Sequence, residues 1–353
     1  MKNVGKTRSS NIELFRIITM LSIVAHHYVV NSDLIDVIYA NPTSLRSMFL
    51  LIFGAWGKTG INCFVLITGY FMCKSNITIR KYMKLLFEVL FYNIVIYFIF
   101  LMSGYISFSL TDFAKSILPV SGIKQDFTSC FLVFYLCIPF LNILVNNMNE
   151  KMHRYLLCLL LFVYVFFGTV KVMAVEFNYV EWFVTVYLIA AYIRLYPKEI
   201  YSKTKLWGVV TLVAVGVSIL SVYMCAHIDY FTNKRWIYAF VADSNTLFAI
   251  VVGVSSFLFF KNLPVKNSKV INQIAASTFG VLLIHANSDA MRKWLWQDVL
   301  HNVDFYNSEW MIVHAFASVL IVFIVCVVID SIRIHTVEAF VFRKLDKVLE
   351  AKR

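Results

Sequence analysis

Charged residues are scarce in this chain. Only 15% of its 353 residues are Asp, Glu, Lys or Arg, whereas 60% are hydrophobic. A soluble domain usually has about 25% charged and about 45–50% apolar residues. Because the apolar excess is spread over the whole length, the composition excludes an ordinary soluble protein. It predicts a polytopic, all-α integral membrane protein.

Proline, low-complexity linkers and internal repeats are also lacking. The chain has five prolines, and no segment of biased composition separates one part from another. Nothing therefore divides the apolar part into separate domains. We expect one transmembrane domain over residues 1–335 and a short, charged, amphipathic tail over residues 336–353 in the cytoplasm.

Signatures of metal sites and of several enzyme classes are missing as well. The seven cysteines are scattered through apolar segments, without the spacing of a zinc site or of a disulfide framework. No GxSxG, HExxH or paired-carboxylate pattern occurs. The run Gly57-Lys58-Thr59 lacks the upstream glycine spacing of a phosphate-binding loop. We therefore expect no bound metal and no site of these common types.

Ten apolar stretches are candidates for membrane spans, each of which needs about 17–25 residues. The second contains Gly54, Gly57 and Gly60 together with Lys58, and the ninth is short. We expect both to be irregular or re-entrant. The ten stretches are residues 12–30, 50–72, 82–103, 127–145, 154–172, 179–196, 206–226, 238–260, 275–289 and 311–333.

Basic residues are distributed unevenly among the connecting segments. If the N-terminus lies in the cytoplasm, the inside segments carry 22 Lys and Arg and the outside segments carry 8. Cytoplasmic loops are enriched in these residues, so the bias supports ten spans with both termini cytoplasmic. The same bias explains the net charge of +12, because the excess basic residues fix the topology and contact anionic lipids. No nucleic-acid partner is needed to explain this charge. The basic patch Lys2, Lys6 and Arg8 resembles the start of a signal peptide, but the following run is too long and too polar. We expect an uncleaved first helix.

Two ionisable residues, Arg16 and His27, lie within the first apolar stretch. They are eleven residues apart, close to three helical turns, so their side chains share one helix face at a separation of about 16 Å. Ionisable groups in the hydrocarbon layer are costly and are usually functional. With the predicted topology, Arg16 lies in the inner leaflet and His27 lies near the outer face.

Each histidine near the outer face has more than one interpretation. An imidazole titrates near neutral pH, so His27 is either a general base toward a hydroxyl or a side chain hydrogen-bonded within the bundle. His26 points about 100° away around the helix, and we expect a structural or supporting role for it. His285, in the ninth stretch, is either a satisfied buried histidine or part of the site.

The cations near the predicted inner face also have two interpretations. Arg16 follows Glu13 by three residues, so the two can pair on one face. The pair either anchors the helix at the interface or presents an anion clamp, because a guanidinium suits phosphate and carboxylate. Arg80, Lys81 and Lys84 precede the third stretch. They are either simple positive-inside charge or a site for a phosphorylated cytosolic molecule.

Four segments, taken in order, resemble the motifs of the membrane acyltransferase 3 family. In that family the first helix carries an Arg, ten intervening residues and a His, as Arg16 and His27 do here. The other motifs read like G-V-D-x-F-F-x-x-S-G-F, a basic run, and S-x-x-G-x-Y-L-x-H. They are matched by Gly60-Ile-Asn-Cys-Phe-Val-Leu-Ile-Thr-Gly-Tyr70, Arg80-Lys-Tyr-Met-Lys84 and Ser277-Thr-Phe-Gly-Val-Leu-Leu-Ile-His285. Departures from the family pattern include Ile17, Asn62 and Thr68, where Gly, Asp and Ser are usual.

The resemblance implies transfer of an acyl group, usually acetyl, from cytosolic acyl-CoA to a hydroxyl of a glycan at or beyond the outer leaflet. Carried over by position, His27 is the catalytic histidine and Arg16 its essential partner. The basic run supplies the contacts with the CoA phosphates through Arg80 and Lys84, with Lys81 between them. Supporting roles fall to Glu13, His26 and His285.

We therefore expect a multi-pass O-acyltransferase of the bacterial cytoplasmic membrane, with acetyl-CoA or another acyl-CoA as donor. The acceptor is a capsule or exopolysaccharide, or its lipid-linked precursor. Some relatives carry a fused extracytoplasmic esterase-like domain, and we expect the standalone form. A flippase for a polyprenyl-linked glycan is the alternative, since it also needs many spans and intramembrane charge. A glycan polymerase is disfavoured, because the longest outside loops hold only two basic residues each. The acceptor hydroxyl, the acyl length and the oligomeric state stay open.

Overall fold

The computed structural model describes residues 9–124, 126–170, 176–232 and 236–351. All regular secondary structure in these residues is helical. Some basic residues of the topology count lie outside the described residues, namely Lys2, Lys6, Arg8, Lys171, Lys234, Arg235, Lys352 and Arg353. The α-helices are α1 (Ser10–Val30), α2 (Leu34–Ala40), α3 (Leu45–Gly54), α4 (Gly57–Met72), α5 (Ile79–Met102), α6 (Leu110–Ile117), α7 (Phe127–Asn147), α8 (Glu150–Leu160), α9 (Phe167–Thr169), α10 (Tyr179–Leu195), α11 (Thr204–Thr232), α12 (Leu247–Asn262), α13 (Lys269–Ala276), α14 (Thr278–His285), α15 (Asp289–Lys293), α16 (Met311–Arg333) and α17 (Ala339–Ala351). Four shorter helical segments complete the described set: the π-helical segments Leu161–Phe166, Trp294–Val299 and Ile334–Glu338, and the 3-10 turn Glu199–Ser202.

Among the described residues, seven helical segments are long and apolar enough to cross a membrane, judged by length and composition. They are Ser10–Val30, Leu45–Met72, Ile79–Met102, Phe127–Asn147, Glu150–Thr169, Thr204–Thr232 and Met311–Lys347. An eighth span results if Lys269–His285 and Asp289–Val299, which meet at an angle of 96°, are counted together. The prediction of an all-helical, multi-span membrane protein is confirmed, whereas the count of ten is not.

Two of the ten predicted stretches form helices that are short for a span. The stretch 179–196 becomes α10, with 17 residues, and the stretch 238–260 is helical only from Leu247, giving the 16 residues of α12. The residues before Leu247 are turns. There Thr246 donates from its hydroxyl to the carbonyl of Asp243 at 2.9 Å. Such local side-chain hydrogen bonds compete with helix formation and delay the start of α12.

The second and ninth stretches both contain interruptions. A turn at Ala55–Trp56 separates α3 from α4 within the second stretch, and the helical path of the ninth bends sharply after His285. Both breaks lie beside α1. The close approach at the first break depends on Gly57, because a Cβ there would lie 2.3 Å from the ring of His26. The irregular backbone thus lies against protein, where its freed polar groups find partners.

Helix α1 is the centre of the bundle, packed against α3, α4, α12, α13, α14 and α16. We call its two ends the Arg16 end and the His27 end. Helix α16 runs alongside it from the His27 end, since the imidazole of His314 lies 2.9 Å from the phenol oxygen of Tyr28. Asp330 follows sixteen residues later, about 24 Å further toward the opposite end.

A buried cluster of charges joins α5, α16 and the segment after α16. The guanidinium of Arg333 lies 3.0 Å from Glu88, 2.8 Å from Asp330 and 2.7 Å from Glu338. Lys84 reaches the same Glu338 at 2.6 Å. We call these five residues the Arg333 network. Three carboxylates therefore share two cations, and the side chain of Arg333 is only 2% exposed.

Helix α14 lies directly against the Arg333 network at Gly280. A Cβ on this glycine would lie 2.3 Å from the carboxylate carbon of Asp330, so the contact admits no larger residue. Tyr92 completes the contact by donating a hydrogen bond of 2.8 Å to Asp330. Because α14 also carries His285, the network fixes the position of the helix that holds this histidine.

Candidate active site

The two histidines predicted on separate spans meet. Nδ1 of His27, on α1, lies 2.9 Å from Nε2 of His285, on α14. Nδ1 of His285 lies 2.6 Å from the carbonyl oxygen of Val281, one turn earlier in the same helix. The three groups form a short chain that runs from backbone to imidazole to imidazole.

This chain defines the protonation of both rings when they are neutral. A carbonyl oxygen only accepts, so Nδ1 of His285 must carry its proton and donate to Val281. Nε2 of His285 then has a lone pair, and it accepts a hydrogen bond from Nδ1–H of His27. The remaining nitrogen of His27, Nε2, is left with a lone pair and can accept a proton. The partner on one ring nitrogen thus decides the chemistry of the other.

His285 is held in place from several sides. It is fully buried, and the ring of Trp296 meets it edge-on at a centroid distance of 6.3 Å. Tyr105, in the loop after α5, donates a hydrogen bond of 2.5 Å to Asp298 on the segment that follows α15. This bond raises the pKa of Tyr105 to about 12. The loop is thereby tied to the element that encloses His285.

His26 is oriented differently from its neighbour, as the helical spacing predicts. Its Nδ1 lies 2.6 Å from the carbonyl oxygen of Gly54, at the end of α3, and its ring lies against Gly57. The two adjacent imidazoles are 5.6 Å apart and tilted by 48°. His26 therefore stabilises the turn between α3 and α4. Its ring also lines the cavity described next.

A cavity of about 460 Å³ opens beside His27 and is lined by both His26 and His27. Three cations from separate elements also line it, namely Lys58, Lys115 and Arg292, with Asp126 as the anion. We call this space the His27 cavity. A second cavity, of about 380 Å³, shares four lining residues with it and contains Tyr97 and Asp289 as well. The shared residues are Asn93, Lys115, Asn287 and Arg292.

Lys58 is the cation nearest in sequence to the break beside His26. Its ammonium donates a hydrogen bond of 2.7 Å to the phenol oxygen of Tyr179, and it lies 5.5 Å from the centre of that ring. The charge of Lys58 reaches both His26 and His27 electrostatically. Arg292 acts similarly on His27 and His285. The site therefore combines imidazoles with positive charge.

Arg16 lies at the other end of α1, away from the His27 cavity. Its Nε is 3.5 Å from a carboxylate oxygen of Glu13, and the side chains are 30% and 10% exposed. The predicted pairing between Glu13 and Arg16 is confirmed. Whether this pair anchors the helix or binds an anion stays a prediction, because the contact is compatible with both roles.

The basic run at the start of α5 already has partners. Arg80 makes a two-pronged contact with Asp346 at 2.9 and 2.7 Å, and Lys84 is bound to Glu338 of the Arg333 network. Lys81 donates to the carbonyl of Asn76 at 2.8 Å. The three basic residues line a cavity of about 470 Å³ between α5 and α17. Binding of phosphates by this run stays a prediction, and it requires phosphate to replace the carboxylates.

The predicted tail is a helix that packs onto this basic run. It continues from α16 through the π-helical segment Ile334–Glu338 into α17. Two of its acidic residues, Asp346 and Glu338, form ion pairs with Arg80 and Lys84 of α5. A sequence pattern could not assign these pairs, since the partners are 266 and 254 residues apart.

Two of the three departures named above, Asn62 and Thr68, form hydrogen bonds that the structure defines. Asn62 is fully buried. Its amide donates to the carbonyl of Ser244 at 2.7 Å, and its oxygen accepts from the indole of Trp182 at 2.8 Å. Both functions of a neutral amide are therefore used. Thr68 donates to the carbonyl of Phe64 within its own helix, a bond that a serine hydroxyl at this position can also make. Nothing in the structure explains Ile17.

We expect Asn62→Asp to lower the free energy of unfolding by about 1–3 kcal/mol, although the family usually has Asp there. A carboxylate has no donor for the Ser244 carbonyl and would face that oxygen with negative charge. Thermal unfolding of purified protein in one detergent measures the effect. Asn147→Asp is the matched control, because Asn147 is exposed. Equal melting temperatures for Asn62→Asp and the control would contradict the role assigned to the amide.

Three residues of importance escaped the sequence analysis. Lys58 contributes to the predicted irregularity of the second stretch and to the rejected phosphate loop, yet a lysine inside an apolar stretch is itself a functional signal. Arg333 was counted as a topology signal, although Asp330 precedes it by three residues and offers a same-face pair. Tyr179 carries no local signal, because its role follows from the helix packed opposite.

Comparison with known proteins identifies the family of this chain. No curated protein and no solved structure matches the sequence significantly. The profile of a family described as an acyltransferase domain matches residues 9–331. This match covers both histidines, the Glu13–Arg16 pair, the basic run and Asp330. The chain belongs to the membrane acyltransferase 3 family.

Proposed function

We propose that this protein is an O-acyltransferase, and specifically an O-acetyltransferase that uses acetyl-CoA to esterify a hydroxyl of a cell-surface glycan or its lipid-linked precursor. The observation that carries the proposal is the His27–His285–Val281 chain. It leaves a proton-accepting nitrogen on an imidazole that lines a cavity of substrate size. Family membership supports acyl transfer as the reaction class.

The proposed reaction needs one base and one cavity. Nε2 of His27 removes the proton of the acceptor hydroxyl while its oxygen attacks the thioester carbonyl carbon. The carbonyl π electrons move onto oxygen and form a tetrahedral intermediate. On its collapse the carbon–sulfur bond breaks, and the thiolate takes the proton from the His27 imidazolium. The products are the ester and CoA with a free thiol.

The donor and acceptor are proposed to approach from opposite ends of the bundle. Arg80, Lys81 and Lys84 would hold the phosphates of acyl-CoA near the Arg16 end, with Arg16 in the position that the family motif gives to the essential partner of the histidine. The acceptor would enter through the second cavity. There Tyr97 offers an aromatic face, and Asn93 and Asn287 offer amide groups.

The proposed membrane arrangement has ten spans with both termini in the cytoplasm of a bacterial cell. It treats α10 and α12 as short spans, in agreement with the 22 to 8 bias of basic residues. A fluorescent protein and alkaline phosphatase, fused in turn to the C-terminus, test the orientation. Fluorescence without phosphatase activity is expected, and the reverse result would contradict it.

The decisive experiment for the activity uses membranes of the source organism, which contain the natural acceptor. Membranes from a deletion strain, with and without the restored gene, are incubated with acetyl-CoA labelled in the acetyl group. Label in the glycan fraction that is released by mild base is expected only with the gene. A flippase would move glycan without consuming acetyl-CoA, so an equal lack of label in both samples would contradict the proposal.

We expect His285→Leu to reduce the transfer rate by roughly 100-fold, because it removes the acceptor that fixes the tautomer and orientation of His27. His285→Gln should recover a large part of the loss, since its amide oxygen can accept the same proton. The rate of labelled ester formation per folded enzyme is the measurement. Equal loss in both variants would contradict this positioning role and indicate a merely structural one.

A further inference from the structure

Lys58 differs from the other cations of the His27 cavity in its partner. Lys115 lies 3.5 Å from Asp112, and Arg292 lies 2.8 Å from Asp289. Within the described ranges, Lys58 forms no ion pair with a carboxylate, and its hydrogen-bond partner is the neutral phenol of Tyr179. The positive charge of Lys58 at the cavity wall is thus not neutralised by a carboxylate in direct contact.

Tyr179 holds this charge in a defined place. The phenol is buried, and its ring stacks on Phe183 at a centroid distance of 5.6 Å and an angle of 15°. The backbone N–H of Tyr179 donates to the carbonyl of Lys124 at 3.2 Å. The tyrosine is therefore fixed on both its ring and its backbone. A flexible lysine side chain gains a preferred position from such an anchor, so little reorganisation is needed when it acts.

The electrostatics of acyl transfer define what such a charge can do. The thioester and the acceptor hydroxyl are both neutral at the reacting atoms, and negative charge develops on the carbonyl oxygen only as the tetrahedral intermediate forms. A prepositioned cation beside the reacting carbonyl stabilises that charge far more than it stabilises the ground state. Binding strength that appears only in the transition state raises kcat rather than lowering KM.

We propose that Lys58 is a catalytic residue that donates a hydrogen bond to the oxyanion of the tetrahedral intermediate, and that Tyr179 is its positioning residue. The inference rests on the proposed acyl transfer. No proton is transferred from Lys58: its ammonium stabilises the oxyanion until the carbonyl reforms and the thiolate leaves. His27 alone carries the proton from the hydroxyl to the sulfur. Base and oxyanion donor thus come from α1 and α4, on two walls of one cavity.

The test measures kcat and KM for Lys58→Met with labelled acetyl-CoA and with host glycan that has been de-esterified by mild base and added at graded concentrations. We expect kcat to fall roughly 10²- to 10³-fold, with KM for both substrates within about twofold of wild type. Tyr179→Phe should lower kcat by roughly tenfold, as expected for the loss of one hydrogen bond. Lys151→Met is the matched control, because Lys151 is exposed beside the ring of Tyr155, and its kcat should equal that of wild type.

Other outcomes would overturn the inference. An unchanged kcat with a raised KM for the glycan would mean that Lys58 binds an anionic group of the acceptor. A raised KM for acetyl-CoA alone would assign it to the donor. If Lys58→Met does not fold, as judged by gel filtration, Tyr179→Phe decides: a kcat equal to that of wild type refutes the role. Lack of transfer by the wild-type enzyme would refute the proposed function itself, which is a separate and recognisable result.

Discussion

Replacement of His27 by alanine is expected to reduce acyl transfer by roughly 10²- to 10⁴-fold, the range for loss of a general base. We expect neither neighbouring histidine to replace it. The ring of His26 is held at Gly54 and points about 100° away around the helix, and His285 is fully buried and does not line the His27 cavity. The measurement is base-labile acetyl label in glycan, normalised to the amount of folded protein in the membrane.

His227→Ala is the control for this prediction. His227 lies on α11, is partly exposed and contacts the carbonyl of Tyr223, so its loss should leave transfer unchanged. Arg16→Ala, examined alongside, should also abolish transfer if the family motif carries over. Full activity of both His27→Ala and Arg16→Ala, at normal expression, would contradict the assignment of the site.

Replacement of Arg333 by methionine is expected to destabilise the protein by about 3–5 kcal/mol, enough to prevent accumulation of folded protein. The change leaves Glu88, Asp330 and Glu338 together in a buried place with Lys84 as the remaining cation of the network. An uncompensated buried charge is far more costly than the absence of the whole network. Yield after extraction in mild detergent and the melting temperature of the extracted protein measure the effect.

A variant that also removes the stranded carboxylates distinguishes the effect of buried charge from the effect of lost packing. Arg333→Met combined with Glu88→Gln and Asp330→Asn removes the stranded charges and should recover part of the yield. Arg154→Met is the control, since Arg154 is exposed on α8. A melting temperature of Arg333→Met equal to that of the control would show that the network contributes little. Because Gly280 lies against Asp330, a surviving variant should also show reduced transfer through displacement of α14 and His285.

The fold could be predicted where the signal was local. Apolar stretches long enough to span a membrane are visible in any window of the sequence, and the helical face shared by Arg16 and His27 follows from 3.6 residues per turn. The prediction weakened where a polar turn interrupts an apolar stretch. The residues before α12 show this, because the hydroxyl of Thr246 donates to the backbone carbonyl of Asp243.

The site could be predicted only in part. Glu13 and Arg16 are three residues apart, so their pairing was predicted and is confirmed. The basic run was recognised as well, but its partners Asp346 and Glu338 could not be assigned, because i to i+4 rules do not reach them. Binding of CoA phosphates by the basic run stays a prediction. In this structure the phosphates would have to compete with the carboxylates of Asp346 and Glu338 for Arg80 and Lys84.

The amino-acid sequence by itself determined that this chain is a helical membrane protein, that its family transfers acyl groups, and that His27 shares a helix face with Arg16. These properties depend on composition, short periodicity and motif order, which are local in the chain. Only the tertiary structure decided which nitrogen of His27 accepts a proton. That choice depends on His285, 258 residues away, and on the helix packing that brings the two rings together. The same packing brings Lys58 and Tyr179 to one cavity. The sequence predicts which face of its own helix a side chain lies on, but residues of separate helices form one site only where those helices pack together.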